Sequence, residues 1–237
     1  MHRYLIILFL ITATIFLQGQ NLPTKNNLWT RFATSYSFTD KFRFEAELQY
    51  RSQNDIEGTK SPFTNNMLRT IRFNGFYKIN NNILLTISPF AYFHQSPIIY
   101  TAKDKLKSPS GENRFSIGLE SCNRLSSKLS FANRAVIEYR NLLSADDVIR
   151  LRTRFMLRYD INEKQFVNLY DELFTNVMGI QKHSFFDQNR IGLYFNIKPH
   201  PKFKIETGYM YALRFNSSTL VDQPENNIIF DLYYQIN

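Results

Sequence analysis

The sequence has little cysteine and no long apolar run outside its amino terminus. Its one cysteine, Cys122, cannot form a disulfide within the chain, and no CxxC or Cys/His spacing typical of a metal site is present. No later segment reaches the roughly 18 consecutive apolar residues that indicate a transmembrane helix. Glycine-rich phosphate loops, HExxH and nucleic-acid-binding motifs are also absent. We therefore expect no metal, no cofactor and no nucleic-acid partner, and a fold stabilised by packing or by a membrane.

The amino terminus has the pattern of a secretory signal peptide. Residues 1–3 are a short basic start, residues 4–17 are apolar, and residues 18–20 are small or polar. The apolar run is shorter than the roughly 17–25 residues of a spanning helix, which argues against an anchor. The sequence therefore predicts a signal peptide over 1–19 and one mature domain over 20–237.

Along the mature chain the apolar residues recur at every second position, which is the period of a β-strand. In segment 41–51, for example, Phe42 and Phe44 share one face, and Arg43 and Glu45 share the other. Eleven segments follow this pattern: 28–38, 41–51, 68–79, 83–94, 113–123, 128–140, 148–160, 165–174, 187–197, 202–214 and 226–237.

The connections between these segments alternate between short turns and longer polar loops. Outer-membrane barrels have this layout, with short turns at one rim and long loops at the other, and their strands are about 10 residues long. Because bacterial barrels as a rule have even strand numbers, we expect about 12 strands, with 10 as the alternative. Residues 21–27 are the candidate for an additional short strand.

The two cationic residue types are distributed differently. Of the 16 arginines, 13 lie on the polar face of a predicted strand, whereas 11 of the 13 lysines fall in turns, loops or the polar start. A planar guanidinium suits confined, bidentate pairing with carboxylates, and an ammonium prefers full hydration. This sorting favours a narrow, ion-paired lumen over the surface of a soluble β-sandwich.

Aromatic residues lie at the predicted strand ends on the apolar face. Such residues form girdles at the two lipid–water boundaries of membrane barrels. The predicted girdle residues are Phe38, Phe42, Tyr50, Tyr77, Phe93, Tyr139, Tyr159 and Phe203.

Several short motifs give the chain a resemblance to a known family. Trp29 opens the first strand, and Glu138-Tyr139-Arg140 and Arg152-x-Arg154 occur in later ones, followed by residues 172–176 and Gly208-Tyr209. In their order these motifs resemble domain of unknown function 2490, a family of predicted outer-membrane proteins common in Bacteroidota. The resemblance covers essentially the whole mature chain. It implies a barrel in the outer membrane and no settled activity.

The arginines of segment 148–160 are the most conspicuous candidate site. Arginine on a barrel wall attracts anions, and rings of it occur in anion-selective pores. Alternatively, these arginines pair with lumen glutamates and nearly close the barrel. The predicted lumen charge ladder comprises Arg150, Arg152, Arg154, Arg158, Arg140, Arg43, Glu45, Glu47, Glu138 and Glu172.

A lipid-acting acyl hydrolase is the alternative function. His94 and Ser96 are two residues apart, so on one strand they would share a face, and the imidazole could take the hydroxyl proton. Glu112 or Asn113 is available to orient the imidazole. Against this, Pro97 suggests that the strand is ending, and by its parity His94 would face the lumen, whereas a lipid substrate arrives from outside.

We thus expect an all-β transmembrane barrel in the bacterial outer membrane. Its most concrete function is a narrow, porin-like, anion-preferring channel, and a closed barrel with structural or surface duties is the other form. The expected partners are outer-membrane lipids and lipopolysaccharide, the outer-membrane assembly machinery and small anionic solutes. The net charge of +9 suits a surface that meets anionic headgroups.

Overall fold

The strands that the sequence predicts form one closed β-sheet. The computed structural model describes residues 24–56, 60–179, 185–216 and 221–237, and the predicted signal peptide 1–19 lies outside these ranges. The described strands are β1 (Lys25–Ser37), β2 (Phe42–Gln53), β3 (Asn65–Lys78), β4 (Ile83–Gln95), β5 (Ser110–Arg124), β6 (Leu129–Leu142), β7 (Val148–Asp160), β8 (Gln165–Met178), β9 (Phe186–His200), β10 (Phe203–Asn216) and β11 (Val221–Gln235). A short 3-10 helix, Ala102–Leu106, lies between β4 and β5. No described helix is long and apolar enough to cross a membrane.

Each strand pairs with its neighbours in chain order, and β1 pairs with β11 to close the barrel. Consecutive strands are antiparallel, whereas the closing pair is parallel, with Trp29 beside Ile229. A parallel closure follows from the odd number, because strands 1 and 11 both run from the long-loop rim to the short-turn rim. Closure satisfies the backbone groups of both edges, as a bilayer requires.

The barrel confirms the predicted fold class, and its eleven described strands are the eleven predicted segments. The count lies between the expected 12 and the alternative 10. Lys25–Asn27, part of the stretch that was the candidate for an additional strand, extends β1 instead.

The outer face of the barrel is apolar and its inner face is polar. Phe32, Leu48, Ile117 and Phe230 are among the exposed apolar residues of the outer face, which matches a lipid-facing band. Seven of the eight predicted girdle residues are exposed: Phe38, Phe42, Tyr50, Tyr77, Tyr139, Tyr159 and Phe203.

Phe93 was wrongly assigned to this girdle, because a β-bulge in β4 reverses the faces of the strand. The pairing of β4 with β5 passes from Ser88, opposite Ser116, to Ala91, opposite Arg114. Pro89 and Phe90 therefore face the single residue Phe115, and β4 has one extra residue at this point. Proline cannot donate a ladder hydrogen bond and is tolerated at such a bulge. Beyond it, Phe93 points into the barrel and is 1% exposed.

Candidate functional site

Two cavities follow one another inside the barrel. The loop-side cavity has a volume of about 460 Å³ and extends inward from Ile98 at the long-loop end. The turn-side cavity, of about 400 Å³, reaches Pro201 and Lys202 at the short-turn rim. The cavities meet, because six residues line both of them: Arg43, Glu45, Met156, Asn168, Lys204 and Tyr233.

Three arginines of β7 enter the loop-side cavity and are held by two glutamates. Arg150, Arg152 and Arg154 alternate along β7 and share its inner face. The strand register places Glu138 beside Arg150 and Glu172 beside Arg154. Arg150 Nη2 and Arg152 Nη1 each lie 2.5 Å from an oxygen of Glu138. Arg152 Nη2 and Arg154 Nη2 lie 2.9 and 2.8 Å from the oxygens of Glu172, so each glutamate bridges two arginines.

This Glu138–Glu172 network includes a further arginine of β6 and reaches β9. Arg134 Nη2 of β6 lies 3.3 Å from Glu172 Oε1, and Arg150 Nη1 lies 2.6 Å from Asp187 Oδ2 of β9. Charge-assisted, bidentate pairs are the strongest hydrogen bonds that side chains form. The network therefore ties four adjacent strands together from inside the barrel.

Glu112 of β5 forms a second group. Arg114 Nε and Arg140 Nε each donate to Glu112 Oε1 at 2.6 Å, and Gln95 Nε2 donates to its other oxygen at 2.7 Å. The predicted segment 113–123 began just after Glu112, and the residue was considered only as a partner for His94. Its role as an arginine counter-ion was missed for that reason.

Arg31 of β1 forms a third group on the opposite wall. Its Nη2 lies 2.6 Å from Asp231 Oδ2 and 3.6 Å from Glu206 Oε1, and its Nη1 lies 3.5 Å from Glu47 Oε2. Nη2 also donates to the hydroxyl of Tyr233. This group joins β1, β2, β10 and β11 across the closing pair of strands.

The surface of the loop-side cavity is cationic because its main counter-ions are buried beneath it. Glu112, Glu138 and Glu172 are 0%, 2% and 1% exposed and do not line the cavity. Thirteen cations line it: Arg31, Arg43, Arg51, Arg72, Arg114, Arg134, Arg140, Arg150, Arg152, Arg154, Arg190, Arg214 and Lys204. Six carboxylates line it: Glu45, Glu47, Glu120, Asp187, Glu206 and Asp231.

The structure places all ten predicted ladder residues inside the barrel. Eight line the two cavities, and Glu138 and Glu172 lie behind the arginines that they pair with. Arg158 lines the turn-side cavity, where its Nε lies 2.7 Å from Asp160 Oδ1. The part of these residues in conduction stays a prediction.

Arg51 and Arg190 were absent from the predicted ladder and differ from the arginines of the network. In the described residues neither forms a salt bridge, and each lies against the ring of Trp29, with Cζ 3.5 Å and 4.9 Å from the ring centroid. Arg51 Nε and Nη2 donate to Gln49 Oε1 at 3.2 and 2.7 Å. With the Gln188 amide turned so that its oxygen faces Arg190, that oxygen accepts from Nε at 3.0 Å and from Nη2 at 2.5 Å.

Trp29 lies on an apolar floor formed by residues of β8, β10 and β11. Tyr170, Met210, Ala212 and Ile229 pack with it, and Trp29 itself is 5% exposed. Sequence reasoning placed Trp29 only at the start of the first strand. Its contact with Arg190 of β9 depends on how the barrel closes, which no local pattern gives.

His94 and Ser96 do not come together in the way that the hydrolase hypothesis requires. Beyond the bulge in β4, His94 lies on the outer face, and the expectation that it faces the lumen is wrong. Ser96 lines the loop-side cavity, and its Oγ accepts a hydrogen bond from Asn66 Nδ2 at 3.2 Å. Within the described ranges no hydrogen bond joins His94 to Ser96, and Glu112 is occupied by two arginines.

The loop between β4 and β5 folds back onto the mouth of the barrel. Gln53 Nε2 donates to the carbonyl of Pro97 at 2.8 Å, and Gln53 Oε1 accepts from the backbone N–H of Ile99 at 3.0 Å. Ile99 is buried, while Ile98 lines the loop-side cavity. This loop therefore narrows the mouth on the side of β2.

Asp104 stiffens the same loop. It accepts from the backbone N–H groups of Tyr100 and Thr101 at 3.0 and 2.7 Å and from Lys107 Nζ at 2.6 Å. Burial alone would raise the pKa of Asp104, but these hydrogen bonds outweigh it and lower the pKa to about 2. Lys105 Nζ also lies 2.8 Å from Asp55, which joins the loop to the segment after β2. Within the described ranges no group of three His, Cys, Asp or Glu side chains could hold a metal ion.

Two solved structures are similar to this chain. A structure described as "KdgM porin in complex with disordered oligogalacturonate" is similar over 79% of this chain and 88% of its own, at 12% identity and a TM-score of 0.47. One described as "NanC porin structure in rhombohedral crystal form" is similar over 84% of this chain and 93% of its own, at 10% identity and a TM-score of 0.48. Among curated proteins, nothing matches.

The family suggested by the sequence motifs is confirmed. A family model described as "Protein of unknown function (DUF2490)" matches residues 26–223, which span β1 to the beginning of β11. The chain belongs to this family.

Proposed function

We propose that the protein is an outer-membrane channel with a preference for small anions. The observation that carries this proposal is the charge of the loop-side cavity, whose wall has 13 cations and six carboxylates. A wall whose net charge is positive raises the local concentration of anions and lowers the energy barrier to their passage.

The arrangement of the counter-ions keeps this charge facing the lumen. If the glutamates lay at the cavity surface, paired charges would cancel there. Instead Glu112, Glu138 and Glu172 lie behind the arginines, whose side chains stand between them and the lumen. The arginines thus have two roles, since they hold the strands together and form the polar wall.

The location belongs to the same proposal. The signal peptide over 1–19 exports a single barrel domain over 20–237, which the outer-membrane assembly machinery inserts. The apolar outer face and the aromatic girdles then contact lipid and lipopolysaccharide, and small anionic solutes enter the cavities.

The test is the conductance of the refolded protein in a planar bilayer. We expect steady single-channel conductance and, under a KCl gradient, a reversal potential of the sign that chloride gives. Protein shown to be folded by its heat-dependent gel mobility, yet electrically silent, would contradict the channel and favour a closed barrel. The salt-bridge networks, which fill part of the lumen, are the observation that favours this second candidate.

A further inference from the structure

We propose that Trp29, Arg51 and Arg190 form a binding site in the loop-side cavity for the oxyanion group of a small solute, a carboxylate or a phosphate. The site rests on the proposed function, because a solute reaches it only through the lumen. It adds a ligand class and a position within the cavity.

Arg51 and Arg190 carry positive charge that no salt bridge in the described residues neutralises and that is compensated only in part. Arg51 and Arg190 have neutral amide oxygens as their acceptors, and an amide does not neutralise a guanidinium. The charges that act most strongly on Arg51 are those of Arg190, Arg214 and Arg114, all of which are positive, whereas Glu225 acts in the opposite sense. Arg190 is partly compensated by the charge of Glu172, and Arg152 and Arg214 act against it. An anion near both guanidinium groups would relieve this repulsion. Within the described ranges, the parallel N–H pair formed by Nη1 and the second hydrogen of Nη2 has no acceptor on either guanidinium and can donate to such an anion.

Trp29 has an unused donor in the same cluster as the two guanidinium groups. Trp29 Nε1 is buried and has no hydrogen-bond acceptor within the described ranges. Buried donors nearly always have a partner, so one without a partner requires an explanation. Trp29 lines the loop-side cavity, although Nε1 itself is closed to solvent. An anion there supplies the acceptor when the indole ring shifts toward the cavity.

The chemistry of the ligand follows from the donors. A guanidinium presents parallel N–H groups that match the two oxygens of a carboxylate or phosphate, which a spherical chloride does not offer. Stacking on Trp29 and the hydrogen bonds to Gln49 and Gln188 fix both guanidinium planes before a ligand arrives. Such preorganisation reduces the entropic cost of binding.

Trp29 also makes the site measurable, because it is the single tryptophan of the chain. We would titrate the folded full-length protein in detergent with inorganic phosphate, with malonate and with chloride at matched ionic strength, and record tryptophan fluorescence. We expect a saturable change with phosphate or malonate and none with chloride. Saturation by only one of the two oxyanions assigns the ligand group and supports the site as well.

Variants then localise the binding. The double variant Arg51→Gln/Arg190→Gln should weaken the apparent affinity by about tenfold or more, since each lost charge-assisted hydrogen bond is worth about 1.5 kcal/mol or more. Arg51→Lys/Arg190→Lys retains the charge but not the planar donors, and should bind with intermediate affinity. Arg69→Gln/Arg124→Gln removes the same charge from arginines outside both cavities and should bind like the wild type. Gel mobility confirms that each variant is folded.

Two results would overturn the site: an equal response to chloride, or an oxyanion response that persists in Arg51→Gln/Arg190→Gln. The conductance experiment separates these from a failure of the proposed channel. A protein that conducts anions without saturable oxyanion binding lacks the site but retains the function. A protein that binds phosphate or malonate but does not conduct has the site in a closed barrel.

Discussion

Arg154 and Arg51 line the same cavity, and each lies against an aromatic ring, yet their surroundings differ. Arg154 lies over Tyr170, with Cζ 4.8 Å from the ring centroid, and pairs with the buried Glu172 at 2.8 Å. Arg51 lies 3.5 Å from the centroid of Trp29 and has Gln49 as its acceptor. Residue type alone therefore does not define the role of a lumen arginine. A carboxylate partner makes it part of the scaffold, and an amide partner leaves its charge available to a solute.

The largest expected effect comes from removing a carboxylate from the scaffold. Glu172→Gln leaves Arg134, Arg152 and Arg154 without that counter-ion, and breaking a buried pair strands an uncompensated charge. We expect the free energy of unfolding, measured by urea titration in lipid vesicles, to fall by about 3 kcal/mol.

The control for this change is Glu120→Gln, because Glu120 lines the cavity but forms no salt bridge in the described residues. Its effect should be below about 1 kcal/mol. Equal losses in the two variants would show that the Glu138–Glu172 network has no special part in stability.

A smaller loss is expected from disturbing the floor beneath Trp29. A Cβ added at Gly192 would lie 2.3 Å from Tyr170 Cε1, so Gly192→Ala must displace that ring. Overpacking of this kind should cost about 1–2 kcal/mol and shift the emission of Trp29. Gly75→Ala is the matched control, since the nearest atom to its added Cβ is 3.7 Å away. An unchanged emission in Gly192→Ala would argue against the close packing of Tyr170 and Trp29.

Removing the unpaired arginines should affect stability least. In Arg51→Gln/Arg190→Gln the lost stacking on Trp29 is offset by relief of the repulsion between the two charges. Because these two effects oppose each other, we expect the free energy of unfolding to change by less than about 1 kcal/mol, which is below the value of about 2 kcal/mol for a desolvated cation–π contact alone. A loss as large as that of Glu172→Gln would mean that Arg51 and Arg190 belong to the scaffold. Arginines with amide partners would then not differ in role from arginines with carboxylate partners.

The pH dependence of the β4–β5 loop gives the most local effect. The pKa of Asp104 is lowered to about 2, so the stabilisation from its charge is present above its ordinary value near 3.8 and is lost as the pH falls toward 2. We expect loop fluctuations, measured as conductance noise, to increase over this range in the wild type. Asp104→Asn should show the increased conductance noise already at neutral pH. If its noise at neutral pH equals that of the wild type, the charge of Asp104 does not stabilise the loop.

The sequence predicted the strands well because lipid and lumen impose opposite polarity on alternate residues of every strand. Segment 148–160, for example, coincides with β7. The prediction of which residues face the lumen failed at β4. The bulge at Pro89 reverses the faces of this strand, so Phe93 points inward and His94 outward. A proline inside a strand was the available signal for that irregularity.

The arginine ladder was predictable for the same reason, whereas its pairing was not. Which carboxylate meets which arginine depends on the register between strands, and the contact of Trp29 with Arg190 depends on closure by β1 and β11. The rule of even strand numbers assumes that the closing pair is antiparallel, whereas β1 and β11 close this barrel as a parallel pair. These are non-local properties, and a single strand pattern carries no information about them.

The most direct test of the account is the reversal potential under a KCl gradient for the wild type, Arg51→Gln/Arg190→Gln and Arg69→Gln/Arg124→Gln. The account predicts anion preference in the wild type and in Arg69→Gln/Arg124→Gln, and a reversal potential closer to zero in Arg51→Gln/Arg190→Gln. A wild type without anion preference, or a double variant at Arg51 and Arg190 as selective as the wild type, would contradict it.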